Sequence, residues 1–136
     1  MIKKLYLLYL FLISYGLNGI SQSSCYNADS IIIYSIPWEV TTPVGLSREQ
    51  VLKFCITTKH IIRDVDTVNQ ITNEILKCIK NPLSVNEDPD IRVACFIFMR
   101  GGNVEEYYFN RQKFMFYDGS KYARSKSLLD LLDNYQ

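Results

Sequence analysis

Three runs rich in β-branched and aromatic residues crowd the second half of the chain: Ile91–Met99, Val104–Phe109 and Lys113–Tyr117. Only Arg100-Gly101-Gly102-Asn103 separates the first two, and Asp118-Gly119 closes the third. Glycine tolerates the positive φ of tight hairpins, and Asp-Gly is a favoured two-residue turn. Connections this short force neighbouring strands to run antiparallel. Lys121–Ala123 adds a short closing strand. The middle of Ile91–Met99 is apolar on both alternating faces, which marks a strand covered on both sides.

Upstream, Ser30–Ile36 reads as another strand, bounded by Asp29 and Pro37. From Leu52 to Ile62 the pattern is mixed. A two-residue period and Thr57-Thr58 favour strand for the later part. Ser47 and Gln50 are spaced as a capping box that would start a short helix. Val68, Ile71, Ile75 and Cys78 recur at spacings of three and four, which predicts a helix. Asp64 or Asp66 caps its start, and Asn81-Pro82 stops it because proline cannot continue the hydrogen-bond ladder. Asn81–Asp90 reads as one surface loop. Ser127 to Asp130 resembles a capping box with Asp in place of Glu, opening a C-terminal helix. The expected fold is α+β: a single antiparallel sheet of five or six strands, one long helix packed on a face, and a short C-terminal helix.

The chain opens with Lys3-Lys4, an apolar run from Leu5 to about Ser14, and small or polar residues through Ser24. Charged start, short apolar middle and small-residue end are the three parts of a secretory signal peptide. The run is well short of the ~20 residues a membrane-spanning helix needs. The expected division is residues 1–21 as signal and 22–136 as one small domain, secreted or periplasmic. Cys25 follows the apolar run closely enough to suggest lipidation, which would anchor the protein to the cell envelope. However, Gln22 stands where a lipoprotein motif wants an aliphatic residue. Membrane attachment is expected only with that lipid.

Of the 15 basic residues, Lys3 and Lys4 leave with the signal, so 13 remain against 14 acidic ones. With the basic residues spread among acids, no nucleic-acid partner is expected. Cys25, Cys55, Cys78 and Cys95 allow two disulfides in three pairings. Candidate bridges run from Cys78, on the apolar helix face, to Cys55 or Cys95. Their wide spacing lacks the close pairs of a zinc site, and no metal or other cofactor is expected.

The chain has one histidine, His60. Cys55 lies an odd number of residues from it, hence on the opposite face of a strand. Cys95 with His60 is allowed by spacing. The acid pairs read as a helix cap (Asp64, Asp66), a loop (Asp88, Asp90) and two opposite strand faces (Glu105, Glu106). Gly101-Gly102 lacks the lysine and following helix of a phosphate loop. No set of catalytic groups converges. Aromatic residues stand out instead, with arginines beside them, and such residues are enriched in protein contacts. The sequence thus points to a non-enzymatic exported domain that binds a protein partner. An immunity or inhibitor protein is one specific form of that reading. A small thiol- or carboxylate-dependent hydrolase is the alternative from another class. The expected contact residues are Tyr107, Tyr108, Arg111 and Tyr117, on the sheet side away from the long helix or on its rim, with Tyr107 and Tyr108 facing opposite ways by strand parity.

Overall fold

Strand β3, Ile91–Met99, is the spine of the protein. In the computed structural model, which describes residues 27–84 and 90–136, it lies inside a six-stranded antiparallel sheet of order β2-β1-β3-β4-β5-β6. The other strands are β1 (Ala28–Ser35), β2 (Thr58–Ile62), β4 (Val104–Asn110), β5 (Phe114–Tyr117) and β6 (Ser120–Ala123). The helices are α1 (Arg48–Lys53), α2 (Val65–Cys78) and α3 (Lys126–Asp133). The fold is the expected α+β architecture. The signal segment, Cys25 and Asp88 lie outside the described residues.

The hairpins follow their turn chemistry. Asp118 and Gly119 both have positive φ, 45° and 72°, as the two-residue turn favoured between twisted strands requires. Gly102 has φ 88°, and its N–H donates to the Met99 carbonyl at 2.9 Å.

Apolar residues of the sheet divide into two cores. Ile31, Ile33, Val93, Cys95, Ile97, Tyr107, Phe109 and Met115 face α2 and α3, which contribute Val68, Ile71, Ile75, Leu128 and Leu132. On the other face Ala94, Tyr108 and Phe116 meet Ile36, Leu46 and Val51. A bulge between Ile91 and Val93 lets these two residues serve opposite cores despite their even spacing, as an extra residue in one strand does. Here the 37–54 segment, with α1 in it, covers the second face. Trp38 itself packs on the first core, where its indole N–H donates to Asp133 at 2.8 Å.

Both readings of residues 47–62 hold, one after the other. Ser47 and Gln50 form the full capping box of α1, and Thr58–Ile62 is strand β2. Asp64 caps α2 by accepting from the Thr67 N–H at 2.9 Å. The cap of α3 is a correction. Ser125, not Ser127, stands at its N-terminus and accepts from the Leu128 N–H. Ser127 lies within the first turn.

Candidate functional site

The expected tyrosine patch is part of the core. Tyr107 is 1% exposed and Tyr108 7%. As neighbours on β4 they point to opposite faces, and each enters a different core. The cause is double cover: α2 and α3 close one side at this level, and the 37–54 segment closes the other. Tyr117 is half-buried and stacks on Tyr107, ring centroids 4.6 Å apart. Arg111 is exposed in the turn between β4 and β5. The four do not form a surface.

Their hydroxyls account for the adjacent acids. The Tyr107 O–H donates to Glu105, and the Tyr108 O–H to Glu106 at 2.7 Å. Burial pushes the Tyr108 phenol up to about 12, the Glu106 carboxylate adds to that, and Arg48 opposes it. The Arg48 guanidinium lies 4.9 Å from the Tyr108 ring centre.

The cysteines Cys55, Cys78 and Cys95 are free thiols. Cys95 is buried beneath the helices, and desolvation there pushes its thiol up to about 12. Cys78 is half-buried, and its sulfur accepts from the Ser125 N–H at 3.4 Å. Cys55 is exposed in the turn after α1. No bridge joins the three thiols in this structure, where they occupy a strand interior, a helix end and a surface turn.

His60 and Cys95 are both in register with Ile33, on either side of it. Two strand spacings separate them, about 10 Å. His60 instead meets the Tyr135 ring edge-on at 5.5 Å. Asp90 pairs with the buried Arg92 at 2.8 Å. Among the described residues, no three His, Cys, Asp or Glu side chains come together as metal ligands would.

The sheet face away from α2 does carry an apolar surface, built from other residues. Strand register lines up successive rows across it. Lys59, Tyr34, Ala94, Tyr108 and Phe116 form the first row. Ile61, Ile32, Phe96 and Glu106 form the second, and Ser30, Phe98 and Val104 the third. The cover reaches the first row, where Ala94, Tyr108 and Phe116 are buried, and no further among the described residues. The reason is length: α1 has six residues and extends only about 9 Å, whereas nine-residue β3 runs about 30 Å.

The second and third rows are therefore bare. Ile61 is 53% exposed and Val104 45%, while Ile32, Phe96 and Phe98 are half-buried. Phe96 is held edge-on by Tyr34 and Tyr108, with centroids at 5.8 and 6.3 Å. Lys59 lies 5.5 Å from the Tyr34 ring centre, at one corner. Thus the bare half is a firm apolar floor beside a step one helix high.

Sequence reasoning missed these residues because Ile32, Phe96 and Phe98 read as core by composition. No signal in the sequence separates them from core residues; only the path of the 37–54 segment over the other half of the face does. No protein family matches the chain, and no curated protein or solved structure matches it closely enough to carry an inference.

Proposed function

We propose that this is an exported, non-enzymatic small domain that binds a protein partner through the bare half of its sheet. One observation carries the reading: Ile61 and Val104, both substantially exposed, flank Ile32, Phe96 and Phe98 on one face. Contiguous apolar surface of this kind on a small protein marks a contact site. Aromatic rings in it bring large contact area at low conformational cost. The floor is pre-formed by a sheet, so binding orders little. Export rests on Lys3-Lys4, the apolar run and the small residues that follow. The processed protein starts between Gln22 and Cys25, secreted or periplasmic, or anchored to the envelope if Cys25 carries lipid.

The test is in-cell photo-crosslinking with a benzophenone side chain in place of Phe98, Ile61 or Val44. Discrete adducts are expected at Phe98 and Ile61. Val44 is exposed but lies off the floor, and none is expected there. Equal labelling at all three sites, or none, removes the reading. N-terminal mass analysis of the same protein checks the processing, and an intact Met1 on the exported form would contradict it.

A further inference from the structure

The partner reading leaves open what sits on the floor, and the shape of the face narrows it. The bare half spans four strands at its second row and three at its third, up to about 19 Å across and about 14 Å along the strands. Beside it stands the 37–54 cover, a layer about 10 Å thick where α1 lies. Packed sheets stand about 10 Å apart. A flush occupant therefore needs a flat apolar face next to a step of the same height. A second copy of this chain has both.

We infer that two copies pack bare half on bare half, about a two-fold axis lying in the sheet plane and perpendicular to the strands. This inference rests on the bare half being a binding face. An axis along the strands is excluded, because it would stack both covers at the same end. The perpendicular axis separates them, so that each cover abuts the far end of the other copy's floor. Phe96 of each copy then lies over Phe98 of the other, and Val104 lies over Glu106. Glu106 is the one charge in the bare rows, and it already accepts from the Tyr108 O–H. The two-fold does not bring the two Glu106 carboxylates opposite each other, so no like charges meet. Such a contact is isologous and closes at two copies.

The size sets the strength. Two floors with the ends of two covers bury on the order of 1,000 Å² in total, the weak end of specific interfaces. A reversible dimer is expected, with a dissociation constant on the order of 10–100 μM.

Sedimentation velocity on the full chain, expressed and processed in an exporting host, tests this from roughly 1 to 300 μM, a range set by that estimate. The expected result is a concentration-dependent shift to twice the monomer mass. Phe98→Glu and Ile61→Glu should each weaken it by about tenfold or more, with circular dichroism unchanged. Val44→Glu should leave it as it is. In a Cys25→Ser, Cys55→Ser background, mixing Phe96→Cys protein with Phe98→Cys protein should give a disulfide-linked dimer under mild oxidation, more than either gives alone. A dimer that persists in Phe98→Glu uses another surface and overturns the inference.

A monomer throughout the range also overturns it, and the crosslinking adducts then separate the two readings. Adducts at Phe98 of some mass other than twice the chain keep the binding face and remove the second copy. No adducts at all remove both.

Discussion

Two acids and two phenols on β4 illustrate how single residues settle their charge here. Glu105 and Glu106 are adjacent acids that strand alternation sends to opposite faces, as the sequence implies, and each accepts from the tyrosine two residues on. Tyr107 and Tyr108 are both pushed above the ordinary phenol range, chiefly by burial. The fold thus favours the protonated form. The stability this contributes is complete below the unfolded value near 10 and is lost as pH rises toward about 12 for Tyr108. An alkaline titration followed at 295 nm should show the exposed tyrosines ionising first. Tyr107 and Tyr108 should follow only with the loss of near-ultraviolet dichroism. Tyr108→Phe keeps the ring but removes the proton, and it should make that loss less steep. A second charged residue gives a sharper test. Arg92 is 1% exposed and bonded to Asp90 and Thr42. Asp90→Ala strands a buried guanidinium without its counter-charge. Urea unfolding should report a loss of about 3 kcal/mol, as for other broken buried pairs.

Helix ends were the least legible elements, and α3 shows the reason. Ser125 and Ser127 are both good caps, and Asp130 three residues after Ser127 imitates a capping box. What decides between them is tertiary. The Ser125 N–H donates to the Cys78 sulfur at the end of α2, and Leu128 and Leu132 must reach the first core. A helix begun at Ser125 places both inward. Ser125→Ala should cost about 1 kcal/mol. Ser127→Ala, within the exposed first turn, should stay within about 0.5 kcal/mol of wild type. Thermal melts of the two variants compare them directly. By contrast, α2 and the three C-terminal hairpin strands were legible from periodicity and turn residues alone. Those signals are local, and nothing distant competes with them. The 47–62 segment carried two valid local signals, a helix start and a strand, but neither says that the short helix lies across the sheet.

Across the whole molecule, the unread feature is the unequal cover of the two sheet faces. Composition places Phe96 and Phe98 in the core as firmly as Phe109, because all three lie in apolar strands. Only topology separates them: α2 and α3 close one face along its length, while the 37–54 segment closes half of the other. The expected contact residues therefore do not share a surface: Tyr107 and Tyr117 pack on the α2 side, and Tyr108 sits under the 37–54 cover. The same topology sets a gradient of local stability. Strand β3 is paired on both sides and buried on both faces over Ile91–Cys95. Strand β2 is the outer strand next to β1, with Thr58, Lys59 and Ile61 exposed. The opposite edge is partly closed, since the Leu83 N–H donates to the Lys121 carbonyl on β6. Amides of residues 93–97 should exchange only with global unfolding. Those of 58–62 should exchange through local opening, at least about a hundredfold faster. Native-state hydrogen exchange in dilute solution resolves the two sets. Face-to-face pairing of two copies leaves the β2 edge unpaired, so raising the concentration should slow side-chain labelling on the floor without slowing amide exchange along β2. Protection of β2 equal to that of β3 would mean that the edge, rather than the floor, is where another chain adds.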